Sequence, residues 1–177
     1  MGITGTAVTR EAATMVLTDD NFATIVRAVE EGRVVYDNIV NFVRFQLSTN
    51  IGAILTVLMA TLLGWHAPFT AIQLLWINII MDGPPAMTLG IEPARPGVMQ
   101  DKPRQQAAQI LTVSRLARLM LYGTTMMVGT LGVFHYALAT HGQPYALTLA
   151  FTTFVLFQFF NVFNARAEHS TAFNANF

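Results

Sequence analysis

"INIIMDGPPAMTLGIEP", residues 77–93, is the stretch on which the reading of this chain turns. It continues an apolar run long enough to enter a bilayer, yet it carries a carboxylate, Asp82, followed at once by Gly83-Pro84-Pro85. An acid at the centre of a membrane helix costs about 2.5–3.5 kcal/mol on insertion scales, so such a residue marks function by default. Asn78 lies four residues earlier, which puts both side chains on one helix face. The Gly-Pro-Pro run removes amide donors and is expected to break the helix. Carbonyls released at membrane depth are tolerated only inside protein or against a wet cavity. Carboxylate, amide oxygen and released carbonyls make a hard, oxygen-rich site suited to a cation such as Ca²⁺, which takes about six to eight oxygens.

The composition around that stretch agrees with a membrane protein. Of 177 residues 53% are hydrophobic and only 11% charged, whereas a soluble domain carries about 25% charged residues. Zero formal net charge gives no sign of a nucleic-acid partner. The absence of cysteine excludes disulfides and thiolate metal sites. The first residues lack the basic end and apolar core of a cleavable signal. They match an N-myristoylation pattern through Gly2 and Thr6, but the pattern is short and weakly specific.

Four spans are long enough to cross a bilayer: 41–63, 69–91, 115–139 and 145–164. The links "GWHAP" and "THGQP" are short, so the spans pair as two helical hairpins. All ten Arg and Lys residues lie before the apolar centre of the first span, around the 92–114 connection, or after the fourth span. The positive-inside rule then places both termini and the 92–114 connection in the cytoplasm. Ahead of the spans, "ATMVL" is a strand candidate, and "TDDN" supplies helix-capping residues. Phe22, Ile25, Val26 and Val29 mark one face of an amphipathic helix that Gly32 is expected to stop or kink. The expected fold is mainly α. A polytopic bundle of four transmembrane helices (37–165) follows a short cytosolic α/β remnant (1–36) too small for its own core, and a cytosolic tail (166–177) closes the chain.

Further polar residues enter the spans. Gln46, Ser48, Thr49 and Asn50 lie in the first, Gln158 and Asn161 in the fourth. For Ser48, Thr49, Gln158 and Asn161 the favoured reading is hydrogen bonding between helices; for Asn78 and Asp82 it is function. Asp82, Asn78 and Asn50 alone cannot surround and neutralise a divalent ion, and the four spans hold no second acid. The missing ligand is expected from water or from a helix outside this chain. His66, His135, His141 and His169 lack metal-ligand spacing, and no nucleophile–base constellation is present. The chain alone is not expected to hydrolyse any bond.

These residues resemble the P-type Ca²⁺-transporting ATPases over essentially the whole chain. "MGITGTAVTREAATMVLTDDNFATIVRAVEEGRVVYDNI" is similar to the end of the family's phosphorylation domain, and "QLLWINIIMDGPP" to its sixth membrane helix. "NFVRFQLST" and "INIIMDGPPA" look most like the secretory-pathway (Golgi) pumps and their bacterial relatives. The four spans would be helices five to eight. The resemblance implies that Asn78 and Asp82 bind the transported Ca²⁺, with Asn50 as a further candidate. The family's other ion-site positions fall on Ala53, Met81 and Gln158, where two carboxylates and a hydroxyl are lost. One Ca²⁺ per cycle is therefore implied.

The resemblance further implies that ATP, Mg²⁺ and the phosphorylated Asp belong to a parent pump, together with helices one to four, nine and ten. The remaining ligands of the ion site would come from the parent's fourth helix. A helix over 35–63, about 43 Å long at 1.5 Å per residue, would carry motion from the phosphorylation domain to the site. Met87 stands where secretory-pathway pumps that also carry Mn²⁺ have Gln, which leaves Mn²⁺ or Na⁺ as alternative ions. A stand-alone four-helix membrane protein, acting as channel, regulator or assembly partner, is the non-enzymatic alternative. The membrane implied by the resemblance is a bacterial plasma membrane.

Overall fold

The computed structural model describes residues 2–81, 83–103 and 110–166. Asp82, the side chain of Met81, and His169 within the expected tail lie outside the described residues. The elements are α1 (Ala7–Ala12), α2 (Ala23–Leu62), α3 (Ala71–Trp76), a π-helical segment (Ile77–Met81), α4 (Gly83–Gly90), a 3₁₀ turn (Val98–Gln100), α5 (Val113–His141) and α6 (Gln143–Arg166). Three of them, α2, α5 and α6, are long and apolar enough to cross a membrane. The chain is a membrane helical bundle.

Helix α2 spans 40 residues, about 60 Å at the α-helical rise. Gly32 neither stops nor divides it, because α2 passes through that position unbroken. A single exposed glycine costs about 1 kcal/mol of helix propensity, too little to end a helix whose two ends are held by other contacts. The N-terminal end is set by the residues foreseen as caps: Asn21 Oδ1 accepts from the Ala23 amide and Asp19 from the Asn21 amide. At the other end Gly64 adopts φ 69°. The Trp65 amide there bonds the Ala60 carbonyl, and the Gly64 amide bonds that of Thr61. This is the paired-bond stop that glycine permits.

The strand expected at "ATMVL" does not form, and the described residues contain no strand. A strand needs a neighbour to satisfy its backbone; here the Leu17 carbonyl meets one amide, that of Gly2. The first residues are gathered instead by the Asp20 carboxylate, which accepts from the amides of Gly2, Ile3 and Thr4 and from the Thr4 hydroxyl.

The bundle is assembled by α2 packing on α5, α5 on α6, and α6 and α4 on α2. Gly52 of α2 lies against Gly123 and Met126 of α5, and Trp65 just after α2 stacks on His135 near the end of α5. The two helices therefore run parallel. A side chain at Gly123 would meet Ile51 Cγ2 at 2.7 Å and the Gly52 backbone nitrogen at 3.1 Å, so glycine is what lets the backbones approach. Between α5 and α6 the core is Phe134, Ala137, Ala146, Ala150 and Phe154, joined by Phe69, Ile77 and Met126. Ile54, Leu58 and Leu62, spaced by four, are exposed along the outer side of α2. An exposed apolar stripe on a spanning helix is a surface for lipid or for a neighbouring helix.

Candidate cation site and its polar collar

The second expected span, 69–91, is interrupted. It starts as a helix because Thr70 caps α3 reciprocally with Gln73, a capping box. From Ile77 the helix widens into a π segment that ends at Met81. Gly83, Pro84 and Pro85 form the first turn of a separate helix, α4. Proline is tolerated there because the first amides of a helix have no intrahelical acceptor. The departure from α geometry thus precedes the prolines and contains Asn78.

The Asn78 side-chain amide donates to the Leu74 carbonyl at 2.8 Å. Among the described residues its Oδ1 receives no hydrogen bond, and the side chain is exposed. A π segment is common at functional sites because the extra residue in the turn shifts the backbone bonding pattern. An amide oxygen oriented by its own N–H bond is a competent hard ligand for a cation.

Asn50 and Ala53 are half-buried on α2, Ala53 against the apolar core. The π segment rests on α6, and α4 makes the principal contact of this span with α2. Gln158 is fully buried in α6. Asn161 is buried one turn further and donates to Ser48 Oγ of α2 at 2.6 Å. The Ser48 hydroxyl in turn donates to the Phe45 carbonyl. Thr49 and Thr56 likewise bond carbonyls of their own helix, so these groups act as structural polar contacts.

A second polar assembly, which motif reading passed over, lies at the end of the bundle holding the α4–α5 connection. Arg33 of α2 donates to the carbonyls of Val98 and Asp101, both at 2.8 Å. Asn38 donates to the carbonyls of Gly90 and Glu92 at the end of α4. Arg95 bridges Asp37 of α2 and Asp101. Burial opposes the charge of Arg95, but the hydrogen bonds it donates to both carboxylates outweigh this and raise its pKa. Arg166 pairs with Glu92, and buried Arg44 caps α6 by donating to the Ala165 carbonyl. The only sign in the sequence was the number of basic residues flanking the spans.

With this geometry in place, comparison with known proteins is informative. A family model described as cation transporting ATPase, C-terminus, matches residues 66–177. The chain belongs to the cation-transporting ATPase family. It is 45% identical over 174 residues to calcium-transporting ATPase type 2C member 1 of Homo sapiens, covering 98% of this chain and 19% of that protein. It is 43% identical to calcium-transporting ATPase 1 of Saccharomyces cerevisiae and 42% to type 2C member 2 of Mus musculus, covering 100% of this chain and 19% of each relative. The chain therefore spans about a fifth of the length of these family members. Within the family the match is to the C-terminal membrane part, where the interrupted helix and its collar lie.

Proposed function

We propose that this chain is the ion-carrying membrane part of an ATP-driven pump that moves Ca²⁺ out of the cytosol, with one ion site per cycle. The observation that carries the reading is the π segment 77–81. It holds Asn78 with an oriented amide oxygen on an exposed face, and Asp82 follows in sequence. Asn78 and Asp82 are the ligands, Asn50 is a possible addition, and Ala53, Met81 and Gln158 are positions that no longer bind. The remaining oxygens come from a helix supplied by the rest of the pump, as do ATP, Mg²⁺ and the phosphorylated carboxylate. The names of the relatives favour Ca²⁺ over Na⁺.

Both ends of the chain and the collar face the cytosol in this reading, in keeping with the ten basic residues gathered at that end. The length of α2 supports a role in coupling. About 60 Å of helix exceeds the ~30 Å hydrocarbon core, leaving a cytosolic part on which a phosphorylation domain can act. The collar ties that part to the end of α4 through Asn38 and to the connection that follows through Arg33. Movement of α2 is thereby passed to the helix that follows the π segment.

The test uses a chimera in which this chain replaces the matching segment of the Saccharomyces cerevisiae relative. Asp82→Asn is expected to abolish Ca²⁺-dependent phosphorylation from ATP while phosphorylation from inorganic phosphate persists. Gln158→Ala should leave Ca²⁺ dependence within a few-fold of the parent. An Asp82→Asn chimera that still responds to Ca²⁺ like the parent would remove Asp82 from the site.

A further inference from the structure

The end of the bundle away from the collar carries the two short links, and each holds an imidazole against an aromatic ring. Trp65, in the link between α2 and α3, stacks on His135 of α5 with ring centroids 4.4 Å apart and planes 13° from parallel. His141, the last residue of α5, stacks on Tyr145 of α6 at 4.7 Å and 21°. The ion site uses neither pair.

Other charge is missing from this end. The sequence has no Asp, Glu, Lys or Arg from Phe45 to Met81 or from Leu119 to Ala165. The titratable groups that the α2–α3 link, α5 and α6 bring here are therefore His66, His135, His141, Tyr136 and Tyr145. Of these side-chain types, imidazole is the one that changes charge between about pH 5 and 8. A proton arriving at His135 finds no carboxylate of this chain at that end to pair with. It finds the indole face instead. A cation within about 6 Å of an aromatic centroid is attracted by the ring quadrupole, most strongly over Trp. Tyr145 offers His141 a weaker face, and His141 Nδ1 is already hydrogen-bonded with Thr140 Oγ1 at 2.7 Å.

The two partners of the first stack are placed differently. Trp65 is half-buried and packs against the apolar core, whereas His135 is exposed. His135 can thus gain or lose a proton without opening the core. Trp65 is also the residue whose amide closes α2 on the Ala60 carbonyl, beside the bond from Gly64 to Thr61. Five residues on, Thr70 caps α3, which runs directly into the π segment.

We propose that the Trp65–His135 stack is a proton-operated clasp. An imidazolium at His135 grips the indole more tightly than the neutral ring does, and so holds the α2–α3 link against α5. The added grip is present at low pH and is lost as pH rises through the imidazole range. By holding the link, the clasp steadies the entry to the interrupted helix that carries Asn78. Both partners belong to this chain, so the clasp requires no group from outside it. It is independent of which ion is pumped. Its placement on the side to which ions are delivered rests on the orientation proposed above.

The test is NMR-detected hydrogen exchange on the full chain in detergent micelles, corrected for intrinsic rate and read at the Gly64 and Trp65 amides. A cation over an indole at an exposed site implies protection about two- to fivefold higher at about pH 5 than at about pH 8. His135→Gln is expected to abolish that rise. His135→Arg, which keeps a cation at this position at every pH, should show the higher protection at both. His66→Gln and His141→Gln should each leave the rise unchanged. A flat profile in the parent, or a rise that survives His135→Gln, would overturn the clasp. So would loss of the rise in His66→Gln or His141→Gln, or His135→Arg behaving like His135→Gln. Because His135 is exposed, its variants leave the buried core intact. Failure of the Asp82→Asn test would leave all of these outcomes unchanged.

Discussion

Asn161 and Ser48 form a buried polar bond between two helices. Removing either partner leaves the other buried beside hydrocarbon, and such bonds are worth about 0.6–2 kcal/mol in membrane proteins. Asn161→Ala and Ser48→Ala should each destabilise the bundle by about 1 kcal/mol. The double variant should cost less than their sum, read as coupling in a denaturation-based mutant cycle. Strict additivity would show that the two groups do not act as a pair. This contact was legible from sequence because an amide in an apolar helix has to find a partner. Asp20 is the other residue with a decided role. Burial pushes its carboxyl up, but hydrogen bonds from the Thr4 hydroxyl and the amides of Thr4, Ile3 and Gly2 outweigh that and bring it down to about 2. A depressed carboxylate stabilises above its ordinary value of 3.8 and loses that contribution as pH falls through about 2. Hydrogen-exchange protection of residues 2–4, corrected for intrinsic rate, should be full at pH 5 and decline between about pH 4 and pH 2. Asp20→Asn should remove that dependence.

At the scale of elements, two of the three glycines of α5 separate packing from propensity. Gly123 is pressed against Ile51 and the backbone of Gly52, whereas a side chain at Gly132 would meet nothing within 4 Å. Gly123→Ala should therefore cost about 1–3 kcal/mol through overpacking, while Gly132→Ala should be neutral or stabilising by up to about 1 kcal/mol. Thermal unfolding in one detergent compares them directly, and equal effects would contradict the close approach of α2 and α5. The spanning elements were readable because long apolar runs between short links leave few alternatives. The third and fourth spans reappear as α5 and α6 with their ends shifted by about two residues, within the ordinary variation of helix ends. The π segment left no trace in composition. A register change in backbone bonding needs no special residue.

At the scale of the whole molecule, most of what the sequence withheld is tertiary. Arg33, Asn38 and Arg95 look like ordinary residues of a polar stretch until the 91–102 path brings carbonyls and carboxylates to them. "ATMVL" has the composition of a strand but meets a single backbone partner. Asn78 was identified as a ligand candidate from its spacing to Asp82, and its exposure beside α6 depends on a helix path that spacing does not encode. The family's C-terminal part is thus recognisable by its local text, while its couplings arise only on folding.

The seam at Gly52 and Gly123 has a mechanical consequence. Sliding α2 along α5 by one residue, about 1.5 Å, would drive Ile51 or Met126 into space now held by backbone. These two helices therefore act as one part, and change must be taken up elsewhere. The π segment is suited to that, because it holds one surplus residue in its turn and behaves as a dislocation in an otherwise regular lattice. Moving the dislocation by one position turns the residue it passes through about 100°, without lengthening the chain or shifting α3 and α4 along their axes. Asn78 is thus the residue whose direction such a travelling defect would change.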